Sequence, residues 1–212
     1  MSSACSFQVV LNTSQEQFER LKQLQVKFAS VCNALSPIVS DNRCWNRVAL
    51  HHLAYRQMRN QFPEMGSQMV CNAIYAVCKT ARLVYQHPAS PFNIKKQGNA
   101  KLAVIRFMDV CPVYFDRHTL TLDGDKLSMY TLDGRLKFML TLAEAQREAI
   151  KVYKLGEISL HMTAQDQFAL TFKFKDEEVS SGPKPEHQLP YSVAESRAYV
   201  LPSTGLGQGA QA

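Results

Sequence analysis

The hydrophobic pattern of this chain changes period, and that change limits the folds open to it. Up to about residue 86 the apolar residues recur every three or four positions; from residue 104 they alternate. The first spacing places them on one face of a helix, the second on one face of a strand. Within the alternating part, Leu122-Asp123-Gly124 and Leu132-Asp133-Gly134 repeat ten residues apart. Asp-Gly at the centre of a two-residue loop supplies the positive φ that a type I′ turn needs at both positions, so each pair is expected to close a hairpin. The reading is an α+β fold with the helices and strands segregated along the chain.

The helical part has clear punctuation. Ser6 to Leu11 is a short apolar run, expected as a strand. Thr13 and Glu16 have the T-x-x-E spacing of a capping box. Phe18, Leu21, Leu24, Phe28, Val31, Cys32 and Leu35 then follow at helical spacing, and Pro37 is expected to end that helix. A second helix is expected from about Cys44 to Gln61, with Trp45, Val48, Leu53 and Met58 as its core residues, and is broken by Pro63 and Gly66. Val70, Ala73, Ile74, Val77, Cys78, Ala81 and Val84 make one continuous stripe on a third. Residues 14–88 thus read as an inserted three-helix bundle. The stretch from His87 to Lys101 reads as a linker with a basic cluster at Lys95, Lys96 and Lys101.

In the strand part, Leu136, Phe138 and Leu140 point one way and Arg135 and Lys137 the other. Thr141 and Glu144 form a second T-x-x-E box before a short helix. Ile158, Leu160 and Met162 face inward on one strand, and Phe168, Leu170, Phe172 and Phe174 on the last. Five or more strands with tight turns point to a small antiparallel β-barrel over residues 89–176, with the early strand in 1–13 pairing back into it. Residues 177–212, rich in Pro, Gly and Ser, are expected to be disordered.

Net charge is +6, which favours an anionic partner, nucleic acid above all. The six cysteines include no C-x-x-C pair, so buried thiols are expected rather than a zinc site. No apolar stretch is long enough to span a bilayer, and no basic region followed by an apolar run opens the chain; a cytoplasmic protein without membrane contact is the expectation. Adjacent His51 and His52 point about 100° apart on a helix and do not make a chelating i, i+4 pair. No Walker loop, G-x-S-x-G or Rossmann glycine pattern occurs, and neither a cofactor nor a metal nor a catalytic residue is expected.

Several short words occur in an order that resembles the N-terminal half of the TnpB family, the RNA-guided endonucleases of certain insertion sequences. In the helical part they are Asn46-Arg-Val-Ala-Leu50, Tyr55-Arg-Gln-Met-Arg59, Phe62-Pro63 and Ser67-Gln68. In the sheet part they are Phe115-Asp116-Arg117, Tyr130-Thr-Leu-Asp-Gly-Arg135, Gly156-Glu157 and the two-strand unit from Ile158 to Lys175. The resemblance covers roughly residues 6–176. It implies a wedge barrel with an inserted recognition bundle that holds a structured guide RNA and helps read a short motif in double-stranded DNA. In that family a RuvC-like nuclease half and a zinc ribbon follow, with catalytic acids on apolar strands. Past Asp176 the acids here are Glu177, Glu178, Glu186 and Glu195, and two-metal cleavage needs converging carboxylates. The chain is therefore expected to bind without cleaving.

The residues expected to contact nucleic acid are Tyr55, Arg56 and Arg59 on the second helix, Lys95, Lys96 and Lys101 in the linker, and Arg135 and Lys137 on a strand. A guanidinium pair beside an aromatic ring suits phosphate contact with base stacking. A solvated helix face and ordinary outward strand residues are the competing interpretation. Two other functional readings stay open: half of a split enzyme whose separate nuclease half carries the carboxylates, and a remnant without function.

Overall fold

The computed structural model describes residues 6–98, 100–174 and 191–201. Strand β1 (Ser6–Val10) leads into helices α1 (Gln15–Asn42), α2 (Arg47–Gln61) and α3 (Ser67–Gln86), then the short α4 (Ile94–Gln97). Strands β2 (Val104–Phe107), β3 (Val113–Phe115), β4 (Leu120–Asp123), β5 (Lys126–Thr131) and β6 (Gly134–Met139) follow. Helix α5 (Glu144–Val152), β7 (Leu155–Met162), β8 (Phe168–Phe174), a 3₁₀ turn (Ala194–Ser196) and β9 (Ala198–Leu201) complete the order. The α+β reading holds.

The expected barrel does not close. Among the described residues the strands form three separate antiparallel sheets, ordered β1-β8-β7-β3, β4-β5-β6 and β2-β9. Helix α1 packs on β2 and β5, and α3 packs on β3, so helices cover core that a closed barrel would seal with its own strands. The early strand does pair back: β1 lies against β8, with Phe7 opposite Phe172. In register across the four-stranded sheet, Phe7, Phe172, Ile158 and Phe115 form one apolar row. One contiguous core joins this row to α1, α2 and α3.

Local boundaries moved for identifiable reasons. The capping box on α1 uses Ser14 and Gln17, one residue later than the Thr13/Glu16 frame. The chain offers both frames, and Gln17 also reaches the Lys137 carbonyl on β6, a contact that Glu16 cannot make as a donor. Pro37 lies inside α1 and does not end it. Leu35 and Val39 on either side are fully buried, and that burial offsets the roughly 3 kcal/mol a mid-helix proline costs. The helix ends instead at Arg43, in the left-handed region (φ 48°), whose guanidinium donates to the carbonyls of Gly98 and Ala100 at 3.1 and 2.9 Å.

Helix α2 starts at Asn46, whose side chain accepts from the Val48 and Ala49 amides, so Cys44 and Trp45 precede it. Its buried stripe is Leu50, Ala54 and Met58, a single file. Val48 and Leu53, expected in the core, are 66% and 49% exposed because they lie off that file. Helix α5 is capped at Ala143, whose amide donates to Gln146 Oε1 at 2.8 Å, rather than at Thr141.

Both hairpins form, each shifted by one residue. The β4–β5 loop is Gly124-Asp125, with positive φ at Gly124 alone, and the β5–β6 loop is Leu132-Asp133, with Gly134 (φ 120°) after it. The cross-strand pairs Asp123–Lys126 and Thr131–Gly134 set these registers, so neither turn has Asp-Gly at its centre. The disordered-tail expectation fails over 191–201, where β9 pairs with β2 and Ala198 and Val200 pack on the core. The rest of that expectation falls on residues outside those described.

The turn between α2 and α3 is held by the sheet. The Tyr130 hydroxyl on β5 accepts from the Gly66 amide at 2.8 Å, at the N-terminus of α3. A Cβ on Gly66 would lie 3.0 Å from the Tyr130 ring and hydroxyl. Two outcomes follow. Tyr130→Phe should cost about 1 kcal/mol through the orphaned amide, and Gly66→Ala a similar amount by displacing the ring. Urea denaturation of the two variants reads both. The double variant should cost less than their sum, because both substitutions disturb the same hydrogen bond.

Candidate nucleic-acid interface

Charge is unevenly distributed along this chain. From Arg43 to Arg106 there are ten Lys/Arg and one acid, Glu64; the remainder carries fourteen Lys/Arg and seventeen acids. The single acid is itself neutralised, since Glu64 accepts from Lys27 of α1 at 2.7 Å. That bond holds its carboxyl below the usual range. The excess positive charge of the molecule therefore resides on α2, α3, α4 and their connections. This segregation was available in the sequence as a running charge count, a signal that motif reading passes over.

Part of that charge is committed internally. Arg43 caps α1 as described. Arg59 donates to the Met65 carbonyl and closes the α2–α3 turn. Lys79 donates to both Glu157 oxygens, at 2.7 and 2.9 Å. Lys96 donates to the Ser90 carbonyl at 2.9 Å. Arg47, Arg56 and Lys95 remain exposed.

The exposed face of α2 has the chemistry of a stacking surface beside cations. His51 stacks on Tyr55, with ring centroids 4.5 Å apart and planes within 20°. His52 meets His51 edge-on at 5.9 Å, a geometry for packing rather than shared metal ligation. Arg47 lies 5.6 Å from the centroid of Tyr75 on α3. Two recesses of about 330 Å³ each lie in the basic segment, one beside this face and the other between the end of α3 and α4. One is bounded by Arg47, Val48, His51, Cys71 and Ile74, the other by Arg82, His87, Asn93 and Lys95.

The sheet cations behave differently. Arg135 lies across β4, β5 and β6, donating to the Ser128 hydroxyl and carbonyl at 2.9 and 2.8 Å and to the His118 carbonyl at 3.3 Å. It staples its own sheet. Lys137 is exposed on β6, as its outward alternation implies, and Lys101 is exposed beyond α4. The eight expected residues thus fall on three elements and one connection. Those on α2 and α4 belong to the basic segment, while Arg135 and Lys137 lie on a separate sheet.

Several of the words that carry the TnpB resemblance meet in space at one joint. Gln68 on α3 donates to Asp116 at 2.5 Å, and Asp116 in turn organises the β3–β4 turn by accepting from the amides of His118 and Thr119. Asn72 donates to Thr119 Oγ1 at 3.3 Å, and Tyr130 holds Gly66 beside them. Arg20 of α1 reaches Asp133 at 2.7 Å and Thr131 at 3.1 Å. These residues fasten the helices to the sheets, which explains their types by packing without reference to a ligand. No protein-family model matches the chain, and no curated protein matches it. Among the described residues, no helix is long and apolar enough to cross a membrane.

Proposed function

We propose that this chain is a nucleic-acid-binding module, TnpB-like in organisation, that takes a structured RNA and carries out no cleavage of its own. The observation that supports this most is the concentration of positive charge between Arg43 and Arg106, with a single, neutralised acid. RNA lies against the α2–α3 side of the bundle, with Arg47 on a phosphate and the His51–Tyr55 stack against an unpaired base. Arg56, half a turn round α2 from Arg47, meets backbone that passes over the outer side of the helix. Lys95 extends the contact along α4. Double-stranded DNA beside a guided target is the further partner that the TnpB-like reading entails.

The test is equilibrium binding of the purified chain to RNA recovered with it from its host, across about 50 to 200 mM salt. Three to four phosphate contacts predict a log–log slope of about −2 to −3. An affinity unchanged over that range overturns the electrostatic reading.

A second reading, one half of a split nuclease, is favoured by a different observation. A recess of about 670 Å³ opens between α5, β4 and β8, and Val152, Tyr153 and Leu155 beside it are exposed. Co-expression with a reading frame that supplies the carboxylates, followed by isolation of a one-to-one complex, separates this reading from the first.

A further inference from the structure

The four-stranded sheet has a second face, and it is polar. Opposite the apolar row, Gln8, Thr171, Ser159 and Tyr114 stand in register across all four strands. Lys173 and Glu157 form the neighbouring register pair on the same side, and His161 lies two residues from Ser159 on the other. The Ala194–Arg197 segment forms one wall beside this face and borders an open cleft of about 460 Å³.

The wall is fixed. Ser196 is bonded to Thr80 of α3 at 3.0 Å, the Arg197 carbonyl accepts from the Met108 amide at 2.9 Å, and the Arg197 guanidinium donates to the Met162 carbonyl at 2.7 Å. Arg197 holds a left-handed backbone (φ 43°), a conformation that a non-glycine residue adopts only when its surroundings impose it. The bond to Met162 uses one Nη and leaves other donors of the fork for the cleft.

Two carboxylates also face this space, and they differ in kind. Glu157 is 14% exposed and saturated, with Lys79 on both oxygens and the Tyr75 hydroxyl at 2.6 Å. Glu195 is 85% exposed, and Lys173 lies between the two carboxylates, 3.8 Å from Glu157 Oε1 and 3.8 Å from Glu195 Oε2, so an incoming anion displaces Glu195 from it at little cost. With Glu157 neutralised by Lys79, the cleft offers Lys173, Arg197 and the hydroxyls of Tyr114, Ser159 and Thr171.

We infer that this cleft is a binding site for a phosphate monoester, carried by a nucleoside monophosphate or by the 5′ end of an RNA strand. Two cations meet the dianion once the exposed Glu195 carboxylate is displaced from Lys173, the hydroxyl row supplies neutral donors, and the volume accepts a group of nucleotide size. Lys173 and Arg197 hold the phosphate oxygens. The site is separate from the basic face of α2 and stands without the RNA-binding proposal.

The experiment measures binding of the full chain to four probes: a nucleoside monophosphate and its nucleoside, and one RNA oligonucleotide with a 5′-phosphate and with a 5′-hydroxyl. The phosphorylated member of at least one pair should bind about tenfold more tightly, the effect of one or two charge-assisted hydrogen bonds. Lys173→Ala should remove most of that preference. Glu195→Gln should increase it about threefold, and a gain of this kind cannot come from misfolding. Preference in the RNA pair alone assigns the site to strand ends; preference in the nucleotide pair alone assigns it to free nucleotides. Equal affinities within both pairs overturn the inference. RNA binding that ignores the 5′-phosphate does so while leaving the proposed RNA face intact, whereas nucleotide preference without any RNA binding removes the RNA face and leaves this site.

Discussion

Changing Arg47, Arg56 and Lys95 together to Glu is expected to weaken RNA binding about a hundredfold or more near physiological salt. Each cation taken away from a phosphate removes roughly one unit of salt slope and on the order of 1 kcal/mol, and each reversal adds repulsion. The log–log slope should flatten toward zero with the affinity. All three side chains are exposed, so the fold should tolerate the change to within about 0.5 kcal/mol per site, as a thermal melt would show. The matched control reverses three exposed lysines outside the basic segment, Lys22, Lys126 and Lys151. Net charge changes equally in both triples. If the control loses as much affinity as the test triple, binding follows total charge, and the helical face has no special role.

The largest expected loss of stability comes from Glu157. This carboxylate on β7 accepts from Lys79 and Tyr75 of α3 and tethers helix to sheet at 14% exposure. Removing it as Glu157→Ala strands a partly buried ammonium and a hydroxyl, at a cost of about 3 kcal/mol. Glu157→Gln, which keeps the shape, should cost less. Burial by itself would raise the Glu157 carboxyl; the charge of Lys79, its hydrogen bonds and the Tyr75 hydroxyl outweigh that and hold it below the usual carboxylate range. A carboxyl that titrates lower in the folded state contributes fully above its unfolded value and loses the contribution as pH falls through the folded one. Unfolding free energy of the wild type should therefore drop more steeply than that of Glu157→Gln as pH falls below the ordinary value of 4.5. Parallel curves would show that the carboxylate carries no linked stability.

The same network explains why Lys79 is a poor candidate for nucleic-acid contact despite its place in the basic segment. Its ammonium is spent on Glu157 and lies 5.0 Å from the Tyr114 ring centroid. A count of charges along a sequence locates a basic region, but it cannot say which cations are already used. Arg59 and Arg135 illustrate the point. Both looked free on helical and strand periodicity, and both donate to backbone carbonyls a few residues away in sequence or on the next strand. Arginine carries five donors on a long stem, so local geometry decides whether the fork turns outward or home.

Where one face of an element is continuously apolar, the sequence was sufficient. The stripe on α3 and the alternation of Leu136 and Phe138 on β6, continued by Leu140 just past its end, are buried as periodicity requires. Inward Phe168, Leu170, Phe172 and Phe174 on β8 follow the same rule, because a one-residue slip would turn the whole set into water. It failed where two local solutions were nearly equal, as between the Thr13 and Ser14 capping frames or between turn registers one residue apart. It failed also on α2, whose narrow buried file gives almost no periodic signal.

The sequence by itself determined the class of the long helices α1, α2 and α3 and of the strands with continuous alternation, their order, and the side that most of those strands bury. These depend on the spacing of apolar side chains, which is a property of the chain alone. Tertiary structure decided the rest: three sheets in place of a barrel, a distant Ala198–Leu201 strand recruited to β2, and a polar cleft made by residues from β3, β7, β8 and the segment before β9. Those outcomes depend on which edges and hydrogen-bonding groups lie near one another after folding. Residues far apart in sequence carry no local mark of that nearness, because it arises from packing of the whole core.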